Sequence, residues 1–245
     1  VRIAGIEKCS FVDYPGYLAA VFFTPGCNLD CYYCHNRSLV SGTDAGTQTW
    51  FDTEVALAWL ETRRGFLDGV VITGGEPTLQ PSLADFIRAV RAMGYRIKLD
   101  TNGTKPAILR ELLDEGLLDY VAMDIKAPIE KYEAVCGAPV DYRVINESID
   151  ILMAGRVDYE FRTTVLPHFT ESDVLAMARR IRGARRYVLQ QYRRPEPSCS
   201  DPSLDLPPHA STWPLGFMRE VEDIIHRCQL RGFEQPSCAA AVGAA

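Results

Sequence analysis

No block of like charge occurs in the chain: 26 lysines and arginines are interspersed with 32 aspartates and glutamates, giving a net charge of -6. Nonspecific binding to nucleic acid or to an anionic membrane is therefore disfavoured. No apolar run approaches the roughly 20 residues that span a bilayer; the longest candidates are Leu18 to Phe23 and Gly69 to Ile72. A basic-then-apolar leader is also missing, so the protein is expected to be cytoplasmic. Histidine is scarce, at four in 245 residues, and His168, His209 and His226 stand alone. A serine or cysteine hydrolase would need a paired base, and no such arrangement is visible. Eight cysteines at irregular positions, in a chain of this size and composition, read as reduced thiols rather than a disulfide framework.

What is present is a β/α alternation. Six short apolar segments read as buried strands: Leu18 to Phe23, Gly69 to Ile72, Tyr95 to Leu99, Tyr120 to Ile125, Tyr159 to Val165 and Arg186 to Gln191. Helical patterns separate them at about Thr53 to Arg64, Ser82 to Met93, Pro106 to Glu115, Val144 to Ala154 and Ser172 to Ile181. Strands separated by helices pair in parallel through right-handed crossovers. Six units are fewer than the eight of a closed barrel, so the predicted fold is α/β, a partial (β/α)6 TIM-like barrel with a parallel sheet. Residues 1–192 form that barrel. Residues 193–238 form a proline-rich segment and an amphipathic helix from about Leu215 to Leu230, and residues 239–245 a disordered tail.

In such sheets the reactive groups collect just after the strands. There the sequence reads TPGC, TGGEP, DTNG, DIKAP, VLP and QQYR. Cys27, Cys31 and Cys34 form C-x3-C-x2-C directly after the first strand. Three thiolates leave one coordination position unassigned in a zinc site or an iron-sulfur cluster. It is either completed by a residue such as His35 or Cys9, or left open on a four-iron cluster to an added ligand. Gly74 and Gly75 allow close backbone approach, and Glu76 can accept from an ammonium group, or the three form a tight turn. Asp100, Asp124 and Lys126 place two carboxylates and a cation at adjacent strand ends, suited to an amino acid or a small metal ion, or to a salt bridge. Arg162 on an apolar strand needs a partner, in an ion pair or a ligand. Tyr33 and His35 flank the last thiol, and Thr164 and Arg193 lie at the fifth and sixth strands.

The pattern C-x3-C-x-aromatic-C, with Tyr33 as the aromatic, resembles the signature of radical S-adenosylmethionine (SAM) enzymes. The resemblance implies a [4Fe-4S] cluster held by the three cysteines, with its open iron chelated by the amino and carboxylate groups of SAM. One-electron cleavage of the sulfonium then gives methionine and a hydrogen-abstracting 5'-deoxyadenosyl radical. GGEP resembles the element that contacts the methionine amino group, through Glu76. DTNG and DIK resemble the glycyl-radical activating enzymes, in which Lys126 would meet the methionine carboxylate. Asp100, Thr101 and Asp124 would hold a monovalent cation beside it. Tyr33 would cover the cluster and flank adenine, His35, Arg162 and Thr164 would lie near the cofactor, and Arg193 stands where related enzymes place a histidine.

The stretch IAGIEKCSFVDYPGYLAAVFFTPGC resembles the opening of anaerobic ribonucleoside-triphosphate reductase activating proteins. That implies hydrogen abstraction from a glycine of such a reductase, with a flavodoxin- or ferredoxin-type electron donor. The subtype with a ferredoxin-like insertion is excluded, because the available span Asn36 to Gln48 has no cysteine. Other readings are activation of a different glycyl-radical enzyme, radical chemistry on a small molecule or RNA, and a non-catalytic zinc-binding interaction protein.

Overall fold

The structure is a computed structural model that describes residues 1–40, 51–194 and 207–233. The chain divides into two compact units, Val1–Asp124 with Ile129–Tyr159, and Ile125–Pro128 with Glu160–Ala245. Among the described residues no helix is long and apolar enough to cross a membrane.

The first unit carries β1 (Gly5–Ser10), β2 (Ala19–Thr24), β3 (Gly69–Gly74), β4 (Arg96–Thr101) and β5 (Tyr120–Asp124), in that spatial order. β1 runs antiparallel to β2, and β2 to β5 are parallel. Its helices are α1 (Arg37–Val40), α2 (Thr53–Glu61), α3 (Leu83–Ala92), α4 (Pro106–Asp114), α5 (Tyr132–Cys136) and α6 (Tyr142–Met153). Local chemistry sets their starts. The carboxylates of Asp52 and Asp141 accept from the backbone N–H of Glu54 and Arg143, and Pro106 opens α4.

Strand side chains alternate between two faces. Phe22 meets the rings of Trp59 on α2 and Phe86 on α3 edge-on, which defines the helix-covered face. The opposite, inner face stacks Val21, Val71, Lys98 and Tyr120 in one register row. Toward the strand starts it is closed by an apolar cluster of Tyr14, Ala19, Val21, Val71, Tyr120 and Ala122. Toward the strand ends it turns polar, with Thr73, Asp100 and Asp124. The strand ends of this face are therefore where a polar ligand can be held.

The second unit contains β6 (Asp158–Val165), β7 (Tyr187–Gln191) and β8 (Cys228–Arg231), parallel and adjacent in that order, with α7 (Glu171–Arg180) and α8 (Met218–Glu222). α7 opens on a capping box in which Thr170 and Asp173 satisfy each other's backbone N–H. Thr163 Oγ1 donates to Ile125 O at 2.7 Å and lies 2.7 Å from the Tyr187 hydroxyl, fixing the start of the DIKAP loop to β6 and β7.

The six predicted strands are present, and two more accompany them among the described residues. β1 was not expected. The expected helix from Leu215 to Leu230 is replaced by a 3-10 turn at Trp213–Gly216, the five residues of α8, and β8. Its buried residues Met218, Val221 and Ile225 follow helical spacing, but Cys228 pairs with Tyr187 and extends the sheet. Much of the proline-rich segment and the whole predicted tail, 239–245, lie outside the described residues.

Candidate functional site

The cysteine loop leaves β2 at Thr24 and is tied at several points. Gly26 N–H donates to Leu39 O at 2.7 Å, Cys27 N–H to Val40 O at 3.2 Å, and Asp30 N–H to Cys136 O at 2.8 Å. Cys34 N–H closes a turn on Cys31 O at 3.0 Å. Arg37 pairs with Asp30 at 2.5 Å and also donates to Cys31 O. Cys31 is buried, Cys27 and Cys34 are half-buried, and all three are thiols rather than disulfides. Tyr33 is buried with its ring edge-on to Tyr32, while His35 is exposed.

The Cys27 sulfur accepts from Leu29 N–H at 3.4 Å and from the Asn102 side-chain amide at 3.9 Å. Donors aimed at a sulfur stabilise the thiolate and tune a bound cluster. Among the described residues no three His, Cys, Asp or Glu side chains close around a single metal ion. Three thiols on one pinned loop, with N–H donors at one sulfur, are a donor set that fits an iron-sulfur cluster.

The glycines of TGGEP lie close against the backbone that leads into the cysteine loop. A Cβ on Gly74, whose φ is +117°, would lie 2.3 Å from Thr24 N and 2.4 Å from Thr24 O. On Gly75 it would lie 2.0 Å from Gly26 O. This closeness lets Gly75 N–H reach Thr24 O and Glu76 N–H reach Gly26 O, each at 2.8 Å. The end of β3 thus clamps the start of the cysteine loop.

Glu76 is fully buried. Its Oε1 accepts from Thr78 N–H (3.1 Å), Thr78 Oγ1 (2.5 Å) and Thr101 Oγ1 (2.8 Å), and its Oε2 from Asn102 N–H (2.7 Å). Burial pushes its carboxyl up from the ordinary carboxylate range, and the four donors pull it partly back. The role expected for Glu76 toward an ammonium group gives way to that of an internal anchor. It joins the ends of β3 and β4, and through Asn102 it reaches the cysteine loop.

At the end of β4, successive residues face opposite ways. Thr101 is turned to the helix-covered side, where it serves Glu76 and accepts from Gly103 N–H at 3.1 Å. Asp100 is on the inner face, where Oδ2 accepts from Thr73 Oγ1 at 3.3 Å and Oδ1 pairs with the buried Lys98. Of the three residues expected to hold a cation, Asp100 and Asp124 thus face the inner side and the Thr101 side chain the helix-covered side. Asp124 ends β5 on the inner face, and Met123 before it is fully buried as core. Lys126, Arg162, Thr164 and Arg193 all belong to the second unit, with Arg193 exposed.

Lys98 and Asn102 were missed in the sequence. Lys98 is hidden inside the strand reading of Tyr95 to Leu99, although a lysine in a buried parallel strand is itself a signal, because such a cation needs a counter-charge. Asn102 shows in the sequence only as part of the strand-end motif DTNG.

Against known proteins, the family model described as the radical SAM superfamily matches residues 21–181. The chain is 34% identical over 196 residues to a protein of Methanocaldococcus jannaschii provisionally named a glycyl-radical enzyme activating enzyme, covering 78% of this chain and 79% of that relative. It is 31% identical over 180 residues to pyruvate formate-lyase 1-activating enzyme of Escherichia coli, covering 70% of each. Among solved structures, SuiB of Streptococcus suis superposes with a TM-score of 0.64 at 13% identity, over 89% of this chain and 49% of that one. The chain thus spans about half the length of SuiB, a likeness of fold alone. The cysteine loop, its clamp and these matches together place the chain in the radical SAM superfamily, whose members use a [4Fe-4S] cluster and SAM, and within it among the glycyl-radical-enzyme activating enzymes.

Proposed function

We propose that the protein activates an anaerobic ribonucleoside-triphosphate reductase by removing a hydrogen atom from one of its backbone glycines. The observation that carries this target is the N-terminal stretch from Ile3 to Cys27, which resembles the opening of that reductase's activating proteins. In the structure this stretch runs from the chain start through β1 and β2 into the cysteine loop. A cytoplasmic setting and a flavodoxin- or ferredoxin-type electron donor accompany the reading.

When bound, the cluster and SAM supply one-electron cleavage of the sulfonium and with it the hydrogen-abstracting radical. The chain's part is to hold and orient. Cys27, Cys31 and Cys34 hold the cluster, and Asn102 and the Leu29 N–H stabilise the Cys27 sulfur. Tyr33, which is buried, would flank the adenine, and His35, which is exposed, would lie near the cofactor. The Gly74 and Gly75 backbone forms the wall beside the cysteine loop. Asp100 and Asp124 present charge at the strand ends of the first unit. The family resemblance assigns Lys126 to the methionine carboxylate and Arg162, Thr164 and Arg193 to the neighbourhood of the cofactor.

The test is anaerobic reconstitution followed by iron and sulfide analysis, reductant-driven SAM cleavage, and electron paramagnetic resonance (EPR) on candidate partners. A glycyl radical on the reductase supports the proposal. A radical formed only on a pyruvate formate-lyase-type enzyme refutes the target and favours the second reading, which the Escherichia coli relative supports. Cys27→Ala, Cys31→Ala and Cys34→Ala each abolish cluster binding and SAM cleavage, whereas Cys199→Ala leaves both intact. Lys126→Ala weakens SAM binding more than folding, and a variant that unfolds instead would assign Lys126 to a structural ion pair.

A further inference from the structure

Lys98 is 1% exposed on the inner face of β4, two residues before Asp100 and therefore on the same side of the strand. The register sets it between Val71 of β3 and Tyr120 of β5. Neither rung neighbour brings a counter-charge, and an ammonium taken out of water is costly unless an opposite charge touches it. Its Nζ contacts Asp100 Oδ1 directly. The other oxygen of that carboxylate takes the hydroxyl of Thr73 at 3.3 Å.

The same carboxylate was expected to help hold a monovalent metal cation together with Thr101 and Asp124. The three side chains do not all face that ion. The Thr101 hydroxyl is committed to Glu76 on the opposite face of the sheet. A metal ion at Asp100 would meet a fixed positive charge already in contact with its ligand, in a setting where water screens little. The charge that such an ion would bring is supplied by the chain itself.

We propose that Lys98 is the resident cation of the cofactor rim: its ammonium takes the place of an exchangeable monovalent ion at Asp100, so that cofactor binding does not depend on sodium or potassium. This rests on the reading of the inner-face strand ends as the SAM site.

The experiment uses the full chain, anaerobically reconstituted, with SAM binding measured by equilibrium dialysis and thermal melting followed in parallel. Sodium, potassium and tetramethylammonium chloride are compared at constant ionic strength. For the wild type, the SAM dissociation constant agrees within twofold across the three salts. Lys98→Met removes the Lys98 ammonium from Asp100. SAM binding by that variant falls at least tenfold in tetramethylammonium and recovers in sodium or potassium, with a melting temperature that rises on titration with the same ions.

Wild-type binding that falls tenfold in tetramethylammonium overturns the proposal, and so does a folded Lys98→Met variant indifferent to the salt. Should that variant fail to fold, the wild-type comparison decides alone. A wild-type protein that binds no SAM in any of the salts would instead sink the reading of the rim.

Discussion

Gly75→Ala probes the clamp between β3 and the cysteine loop with a single methyl group. The added Cβ would stand 2.0 Å from Gly26 O and 2.6 Å from Gly26 C. Carbon and carbonyl oxygen approach no closer than about 3.3 Å even in weak hydrogen-bonded contacts, so the two backbones must part by about 1 Å. Both obstructing atoms are backbone, and no side chain can swing away. Parting stretches the bonds from Gly75 N–H to Thr24 O and from Glu76 N–H to Gly26 O, both now 2.8 Å. Overpacking costs about 1 to 3 kcal/mol, and a buried donor left unmet about 1 to 3 kcal/mol. A loss of about 3 kcal/mol follows, within the margin of a typical domain. Urea denaturation followed by circular dichroism measures it, and iron per chain after reconstitution reports whether the thiols still converge. Gly216→Ala is the control, because nothing lies within 4 Å of its would-be Cβ; its change stays under about 0.5 kcal/mol. If Gly75→Ala melts with the wild type and holds a full complement of iron, the clamp is not what shapes the loop.

Glu76→Gln tests the anchor. It replaces one acceptor with an amide N–H2 among inward-pointing donors and costs about 1 to 3 kcal/mol. A carboxyl raised by burial stabilises the fold fully only below its unfolded value of about 4.3, and that contribution is lost as pH rises through the folded value. The wild type therefore loses stability relative to Glu76→Gln from pH 4 upward, and parallel urea-stability profiles between pH 4 and 8 would contradict this. Gly137→Ala strains a left-handed residue with φ +61° and brings a Cβ to 2.4 Å from Asp30 O, beside the bond from Asp30 N–H to Cys136 O. It costs about 1 to 3 kcal/mol and speeds iron loss to a chelator; an unchanged chelation half-time would show that this contact does not hold the loop. Asn102→Leu removes the amide donor 3.9 Å from the Cys27 sulfur. Losing a hydrogen bond to sulfur disfavours the reduced, more negative cluster, so the midpoint potential shifts negative. An EPR-monitored redox titration that finds it unmoved would count against that role.

The six strands from β2 to β7 were readable because each is a short apolar run closed by a loop, as in GVVI before TGGEP. β1 was not, since GIEKCS carries adjacent charged residues on a sheet edge and half-exposed positions that blur any alternation. β8 escaped because four residues are too few to show a period of two, while Met218, Val221 and Ile225 imitate a helix across the same stretch. The cysteine spacing was legible since all its information is local. The duties of Glu76 and Thr101 were not, because both depend on residues about 25 positions apart meeting across two strand ends. The family resemblance likewise groups Asp100 with Thr101, although side chains of neighbours on a strand point away from each other.

The cysteine loop is held by backbone bonds from three directions: the end of β3, the residues around Leu39, and the end of α5 at Cys136. Its shape is thus encoded in the polypeptide and does not await the inorganic centre, unlike small zinc domains that fold only around their metal. Damage by oxygen would then cost such a molecule its iron but not its architecture. A repaired protein would need only a fresh supply of iron and sulfide, poured into a mould that never lost its form.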